Sequence, residues 1–229
     1  MGLTKVTDRV YYYPFDDAKD RPILGYIRGD GFSVAVDAGH SAAHVQEFYS
    51  ALRAQGLALP ALTVITHWHW DHTLGMHAVS GKTMASRRTN AHLKELIENH
   101  KDDLDEYIRS VDAYAGAEYP DGEPVIAVPA DIVYEDSSLI TAGRLQIEVM
   151  EAPSSHTDDT TLVYVPSEKC LFLGDSVLGE FPDWKIDWEK MNRLIARLEA
   201  LDFEYALSGH WKMQTKDEVL ADMRAGIFD

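Results

Sequence analysis

The feature that most constrains this sequence is a dense group of metal-binding side chains directly after a short apolar run. The run, Leu62–Ile65, is rich in β-branched residues and lies between Pro60 and the segment Thr66–His72, which is typical of a buried strand. That segment contains His67, His69, Asp71 and His72. Side chains on the loop that leaves a strand are held by a rigid element and stay accessible to substrate. We therefore expect a strand that ends in a metal-binding loop.

The spacing within this segment predicts how its side chains divide. In an extended segment, residues two apart share a face, so His67, His69 and Asp71 are expected to converge while the two intervening tryptophans turn away. A turn after Asp71 would aim His72 at a second metal ion. The alternative is a set of surface histidines beside core tryptophans. A cluster this dense without metal would be repulsive when protonated and costly to desolvate, which favours metal binding.

Composition limits the classes of partner. The 229 residues suit one domain with a sizeable core, and no repeat or linker indicates a boundary. The formal charge of −17 and the lack of a basic stripe exclude nucleic acid as an expected partner, because such a surface repels polyanions. The sequence contains no run of about 18 apolar residues, so no membrane span is predicted. A small-molecule substrate is the remaining expectation, and the sequence leaves the oligomeric state open.

The N-terminus and the cysteine content bear on location. Residues 1–9 lack the charged-then-apolar order of an export signal, so a cytoplasmic location is favoured. Cys170 is the only cysteine, which rules out an intramolecular disulfide. It lies in the apolar run Cys170–Leu173 and is predicted to be a small buried hydrophobe.

Hydrophobic periodicity predicts a mixed α/β chain. The expected strands are Val10–Phe15, Ile23–Arg28, Phe32–Val36, Leu62–Ile65, Asp131–Tyr134, Ser138–Ile140, Leu145–Met150, Thr161–Val165, Cys170–Leu173 and Tyr205–Leu207. The expected helices are Ala43–Ala54, about Asn90–Tyr114, Asp187–Leu201 and a terminal helix that begins with a capping box of Thr215 and Glu218. Residues 29–31 predict a hairpin turn, and Ala115–Pro124 predicts a loop. Two runs of strands with helices among them indicate two packed sheets covered by helices.

Three further polar residues each follow a predicted strand beside small residues. They are His156, Asp175 and His210. Alone, each has an ordinary interpretation as a loop histidine, a helix cap or a packed surface residue. Their shared position at strand exits gives them more weight, because ligand sites collect at the ends of strands.

The combined pattern resembles that of the metallo-β-lactamase superfamily of metal-dependent hydrolases. The family pattern is H-x-H-x-D-H, then a distant His, an Asp and a final His, and this chain supplies every position in that order. The resemblance runs from Val36–Gly39 to His210, most of the chain. It implies an α/β (α+β) fold, the four-layer αββα sandwich called the metallo-β-lactamase fold, as one domain over residues 1–229.

The resemblance also implies the roles of the site residues. His67, His69 and His156 would hold one metal ion, and Asp71, His72 and His210 a second, with Asp175 bridging the two. The expected cofactors are two divalent ions, Zn²⁺ first, with Mn²⁺ and Fe²⁺ as alternatives. Their shared hydroxide would attack the substrate, and Asp71 would orient it and move its proton. Asp37, at a strand end, is either a hydrogen-bond partner of a ligand or a polar strand terminus.

The ligand pattern names a mechanism and leaves the substrate open. The expected reaction is hydrolysis of an ester, thioester, lactone or amide, with a phosphodiester as an alternative. Hydroxyacylglutathione hydrolases and N-acyl homoserine lactonases share the pattern, but the chain ends 19 residues after His210, and Lys212 is the one basic residue beside it. Both facts argue against glutathione. Asp175 excludes the cysteine-ligated β-lactamases, and the missing export signal argues against β-lactamase activity.

Two interpretations of another class remain. A persulfide dioxygenase of this superfamily would use one iron ion, which histidine and carboxylate ligands also suit. An inert binding site is the second, and the intact ligands argue against it.

The surroundings of the site are predicted less closely. Aromatic residues near the ligands could contact substrate or pack behind the metal loop: Trp68, Trp70, Phe181, Trp184 and Trp211. Residues 100–124 form a charged insertion that could act as a lid or be an ordinary surface excursion. The other histidines receive no role: His40, His44, His77, His92 and His100.

Overall fold

A computed structural model describes residues 2–228, which form two β-sheets flanked by helices. The first sheet has seven strands in sequence order: β1 (Thr4–Lys5), β2 (Val10–Tyr13), β3 (Leu24–Arg28), β4 (Ser33–Val36), β5 (Leu62–Val64), β6 (Lys82–Ser86) and β7 (Ile132–Tyr134). The second has six: β8 (Ser137–Ala142), β9 (Leu145–Glu151), β10 (Thr161–Val165), β11 (Cys170–Gly174), β12 (Tyr205–Ser208) and β13 (Gln214–Thr215). The helices are α1 (Ala42–Ala54), α2 (Trp70–Thr73), α3 (Arg87–Asn99), α4 (Leu104–Val111), α5 (Ala115–Glu118), α6 (Trp188–Ala200) and α7 (Lys216–Ala225).

Both sheets mix strand directions. In the first, β1 to β4 are antiparallel neighbours, whereas β4, β5, β6 and β7 run parallel. In the second, every pair is antiparallel except β11 and β12, which run parallel. The predicted hairpin at residues 29–31 joins β3 to β4. Parallel neighbours bring their carboxyl ends to one edge, and all of the candidate ligands except His156 follow such ends.

The two sheets pack face to face over a shared apolar core. Along β10, Val163 and Val165 point into the core between the sheets, whereas Leu162 and Tyr164 point to the outer face, which is the two-residue alternation of a strand buried on both sides. Phe172 of the second sheet lies directly over Gly25 of the first. A Cβ at Gly25 would come within 2.4 Å of Cε1 of Phe172, so this glycine permits close approach of the sheets.

Helices cover the outer faces of both sheets. Phe48 and Leu52 of α1 pack on Tyr26 of the first sheet, and Leu194 of α6 and Met223 of α7 pack on the second. The order of layers is therefore helix, sheet, sheet, helix, which confirms the αββα sandwich.

The sequence-based elements were largely correct in the strands and partly wrong in the helices. The helix predicted over residues 90–114 is two helices, α3 and α4, interrupted at residues 100–103. His100 caps α3, and its Nδ1 lies 3.1 Å from Oδ1 of Asp103, just before α4. The predicted loop over residues 115–124 begins with the short helix α5. Strand β6 was missed because Met84 and Ala85 are its only apolar residues.

The structure confirms two sequence predictions, the burial of Cys170 and the capping box of the terminal helix. Cys170 is fully buried in the core between the sheets, and burial raises the pKa of its thiol. The capping box of Thr215 and Glu218 is present at the start of α7. Over residues 2–228, none of the helices combines the length and apolar character needed to span a bilayer.

We predict that Phe172→Ala lowers the free energy of unfolding by about 3–5 kcal/mol, because it empties a fully buried position between the sheets. Leu139→Ala is the control, since Leu139 lies in β8 and is 56% exposed, and it should cost less than about 0.5 kcal/mol. Urea unfolding with a chelator present measures both changes without a contribution from metal affinity. Equal small losses would contradict packing of the two sheets through Phe172.

Candidate metal centre

The predicted ligands lie on loops at one edge of the two sheets. The segment from Thr66 to His69 leaves β5, and α2 then turns the chain within one helical turn. His156 follows β9, Asp175 directly follows β11, and His210 follows β12. Because β11 and β12 are parallel neighbours, their carboxyl ends meet and bring Asp175 and His210 together.

These loops bring all seven predicted side chains together in two groups. His67, His69 and His156 form one group, and Asp71, His72, Asp175 and His210 form the other; within each group, one potential ligand atom per residue lies within 4.8 Å of the others. Oδ2 of Asp175 is 3.3 Å from Nε2 of His72, 3.4 Å from Nε2 of His210 and 3.8 Å from Nε2 of His156. Asp175 therefore lies between the two groups.

One sequence-based expectation about this loop is wrong. Alternation along an extended segment predicted that Asp71 would share a face with His67 and His69, but Asp71 belongs to the group of His72. The extended segment ends at His69, which precedes the first residue of α2. Helical geometry from Trp70 onward rotates Asp71 towards the second group and leaves Trp70 beside the pocket.

A buried carboxylate behind the loop orients its ligands. Oδ1 of Asp37 accepts a hydrogen bond from the backbone N–H of Thr66 at 2.8 Å, and Oδ2 accepts one from the Thr66 hydroxyl at 2.9 Å. The same Oδ2 lies 2.8 Å from Nδ1 of His72. The two interpretations left open for Asp37 are thus resolved in favour of a hydrogen-bond partner of a ligand residue. This contact leaves Nε2 of His72 facing Asp71 and Asp175.

The remaining buried ring atoms show that the donor set suits metal ions. Nδ1 of His156 lies 2.8 Å from the carbonyl oxygen of Gly179, which fixes that ring. Nε2 of His67, Nε2 of His156 and Oδ1 of Asp175 are buried without a hydrogen-bond partner among the described residues. Unpartnered buried polar atoms are costly and require an explanation. Imidazole nitrogens and carboxylate oxygens that converge in this way fit divalent cations.

Burial and mutual charge set the protonation of the free site. Burial and the neighbouring His156 lower the pKa of His69 to about 3. Burial also opposes the charged form of His72, but the carboxylates of Asp71 and Asp175 outweigh it and raise the pKa of His72 well above its ordinary value. For His210, Asp175 and Asp71 likewise outweigh burial and raise the pKa to about 9. The histidines of the first group are therefore neutral. In the second group, protons on His72 and His210 compensate the charges of the two carboxylates.

Two glycines allow close packing around the candidate ligands. A Cβ on Gly209 would lie 2.0 Å from Oδ1 of Asp175 and 3.0 Å from Cε1 of His72. Gly174 has φ +52° and packs against Thr66, where a Cβ would lie 2.6 Å from Oγ1. Neither position has space for a larger residue. At Gly174 the positive φ also disfavours any residue with a Cβ.

An elongated pocket of about 520 Å³ opens over the two groups. We call it the acyl pocket, after the acyl compounds that the sequence predicts as substrates. Its lining includes five candidate ligands, His69, Asp71, His156, Asp175 and His210, and six apolar residues, Trp70, Val111, Leu178, Phe181, Trp184 and Phe228. Three of the predicted aromatic residues thus lie in it. Trp68 lines an adjoining groove instead, and Trp211 packs against Phe228 with ring centroids 5.1 Å apart.

The insertion at residues 100–124 supplies one wall of the acyl pocket through Val111–Tyr114. Its far end is anchored by Arg21, whose Nε and Nη2 donate to Glu118 at 2.8–3.1 Å, both side chains being buried. Near the wall, Nε2 of His40 lies 2.8 Å from Oδ2 of Asp112. The lid role stays a prediction. A large motion of the insertion would have to break the buried ion pair of Arg21 and Glu118, which is strongly unfavourable.

Sequence reasoning missed several residues at the pocket. Leu178 and Phe228 carry no local signal, because only the tertiary fold brings them to the ligands. Asp20 lies at the pocket edge, with Oδ1 3.5 Å from Nδ1 of His210. His40, to which no role was assigned, is buried and supports the wall through Asp112.

Comparison with known proteins gives one family and several relatives. The family model described as "Metallo-beta-lactamase superfamily" matches residues 25–210. A curated relative from Bos taurus, named acyl-coenzyme A thioesterase MBLAC2, is 26% identical over 215 residues, which cover 87% of this chain and 72% of the relative.

Solved structures share the fold at low identity. A metallo-β-lactamase from Cronobacter sakazakii, solved as a motif mutant, superposes with a TM-score of 0.70 at 17% identity, covering 99% of this chain and 95% of that one. The sec-alkylsulfatase Pisa1 from Pseudomonas sp. gives a TM-score of 0.73 at 16% identity; 97% of this chain is covered, but only 41% of the sulfatase. These likenesses concern the fold alone.

The extent of the family match decides the assignment. It begins in β3 and ends at His210, so it includes most strands of both sheets and every loop that carries a candidate ligand. The thioesterase relative covers most of the same residues. The chain therefore belongs to the metallo-β-lactamase superfamily and is a hydrolase of that superfamily.

Proposed function

We propose that this hydrolase uses two divalent cations, Zn²⁺ by preference, to cleave small acyl compounds, with thioesters as the favoured class among esters, lactones and amides. The observation that supports this most is the convergence of seven buried or half-buried side chains in two adjacent groups. His67, His69 and His156 would hold one cation, and Asp71, His72 and His210 the other, with Asp175 shared. Three histidines with an open position are the ligand set of many catalytic zinc sites.

The protein groups around the cations have separate tasks. Two bound cations would supply a nucleophilic hydroxide near neutral pH and polarise the acyl carbonyl. Asp37 and the carbonyl of Gly179 hold the rings of His72 and His156 in fixed orientations. In the metal-free site His72 and His210 lower the pKa of Asp71 well below its ordinary value despite burial, and a bound cation would also favour the carboxylate form of Asp71.

Asp71 is the proposed proton carrier. It lies on the floor of the acyl pocket, where attacking water and leaving group must meet. Hydrolysis forms a bond from water oxygen to the acyl carbon and breaks the bond from that carbon to sulfur or oxygen. The carboxylate of Asp71 takes the proton of the attacking water and returns it to the leaving atom, so the products are a carboxylic acid and a thiol or alcohol.

The walls of the acyl pocket favour an apolar acyl group. Trp70 and Phe181 pack edge to face with centroids 5.3 Å apart, and Trp184 stacks on the ring of His156 at 5.9 Å. Such a surface binds hydrocarbon and excludes bulk water from the reaction. The name of the bovine relative, an acyl-coenzyme A thioesterase, supports a thioester in preference to the other acyl compounds.

We predict that His69→Ala and Asp71→Ala each reduce kcat/KM for a short acyl thioester by about 10³-fold or more, because each removes a group that acts directly at the reacting atoms. His77→Ala and Asp102→Ala are matched controls at exposed positions outside the site and should keep wild-type rates. Circular dichroism should show all four variants folded. Turnover at wild-type rates in both site variants would refute the proposed mechanism.

Metal content should separate hydrolysis from iron-dependent oxidation. We expect about two equivalents of zinc or manganese per chain, loss of hydrolysis after chelation and recovery on adding either metal. Because the cations bind only the folded state, saturating metal should raise the free energy of unfolding, by about 4 kcal/mol at a thousandfold excess over Kd. One iron per chain together with oxygen uptake would instead support the dioxygenase alternative.

Substitution of Gly209 by Ala should reduce metal binding without touching a ligand. The new Cβ would overlap Oδ1 of Asp175 at 2.0 Å, so the carboxylate between the two groups must move. We expect the loss of at least one of the two metal equivalents and of most activity. Gly116→Ala is the control, since nothing lies within 4 Å of its Cβ position. Full metal content in Gly209→Ala would show that Asp175 is not a shared ligand.

A further inference from the structure

We propose that the protein has a second, cationic subsite that binds the phosphorylated end of its thioester substrate while the acyl chain occupies the acyl pocket. The subsite is the cavity of about 520 Å³ lined by Arg88, Lys190, Arg193 and Arg197, which we call the basic cavity. The inference rests on the proposed thioester hydrolysis and adds the charge and the orientation of the substrate.

The basic cavity concentrates cations in a strongly acidic protein. Lys190, Arg193 and Arg197 lie three and four residues apart on α6, so they share one face of that helix. Arg88 approaches from α3. Four of the 21 lysines and arginines of a chain with net charge −17 therefore line a single cavity.

The acids in the same cavity leave two of these cations free. They are Asp136, Glu151 and Asp158. Glu151 pairs with Arg88 at 3.6 Å, and Asp158 pairs with His92 at 2.7 Å. Asp136 is in none of the ion pairs of the described residues, so one free acid faces two free cations. Among the described residues, the ion pairs include neither Lys190 nor Arg193. A guanidinium and an ammonium side by side, with no acid partner, match the oxygens of a phosphate group.

The basic cavity adjoins the metal centre through a groove that shares lining residues with both. A groove lined by Thr157, Asp158 and Lys190 shares these three residues with the basic cavity. The same groove is lined by His69, Trp70, His156 and Phe181, which also line the acyl pocket. One extended molecule can therefore lie with its thioester over the ligands, its acyl chain in the acyl pocket and its other end beside Lys190.

The charges at the two ends of this path favour one orientation of the substrate. The charged residues of the acyl pocket other than its histidines are aspartates: Asp17, Asp20, Asp71, Asp112 and Asp175. Away from the cations that Asp71 and Asp175 would hold, an anionic end would meet Asp17, Asp20 and Asp112 and no lysine or arginine, which is unfavourable. At the opposite end the cations attract it. The basic cavity thus selects thioesters of a phosphorylated thiol over neutral thioesters and over free fatty acyl anions.

The test measures, by calorimetry, how tightly coenzyme A and pantetheine bind to the purified metal-loaded protein. Pantetheine has the same thiol arm as coenzyme A but no phosphate. We expect coenzyme A to bind at least about tenfold more tightly, with the difference shrinking as salt rises. In the double variant Lys190→Ala/Arg193→Ala this advantage should fall by about tenfold, the effect of two partly exposed charge contacts. The control Lys82→Ala/Arg144→Ala removes two exposed cations elsewhere and should keep the advantage.

Each outcome decides a separate point. Equal binding of the two thiols by the wild type, or an unchanged advantage in the double variant, would overturn the subsite. Inorganic phosphate that binds as tightly as coenzyme A would overturn its assignment to a substrate tail. A phosphate-dependent advantage without hydrolysis of any acyl thioester would support the subsite and refute the proposed reaction. A fall in kcat/KM for the coenzyme A thioester relative to the pantetheine thioester, in the double variant alone, would support both.

Discussion

The geometry of the site depends on the buried carboxylate of Asp37. Its backbone lies at φ +64°, a conformation that costs a non-glycine residue about 1–3 kcal/mol and persists only when surrounding contacts hold it. Those contacts join the end of β4 to the loop after β5 through both polar groups of Thr66, and they fix the ring of His72. Two adjacent parallel strands thereby set the position of the loop that carries the candidate ligands.

The candidate ligands and the sheets could be predicted from the sequence because both leave local signals. Apolar runs marked the strands, and polar residues beyond four of them marked the ligands. The alternation of an extended segment grouped Asp71 with His67 and His69, whereas the family resemblance placed it with His72 and His210. The structure agrees with the resemblance, since a helical turn at Trp70 replaces the assumed extended geometry. Strand β6 was missed because three of its five residues are polar, which leaves no hydrophobic pattern. Its position in the sheet comes from pairing with β5 and β7, which the local sequence does not show.

Contacts between distant residues explain what local patterns could not show. Arg21 and Glu118 are 97 residues apart, yet their buried ion pair holds the insertion against the first sheet. Ala115 and Tyr119 pack with Trp70 and Ile108 in the same region, so a stretch that reads as a Gly/Pro loop folds into α5. The apolar residues of the pocket, such as Phe228 near the C-terminus, likewise become neighbours of the ligands only in the folded chain.

Net charge and local charge answer different questions about substrate. A formal charge of −17 opposes long polyanions, which must contact a wide surface. A small ligand experiences only the groups within roughly one Debye length, about 8–10 Å in physiological salt. Along the groove those groups change from aspartates at one end to lysine and arginine at the other. The same acidic protein can therefore repel nucleic acid and still bind one phosphate, provided that the phosphate lies beside α6 and the apolar chain beside Trp70.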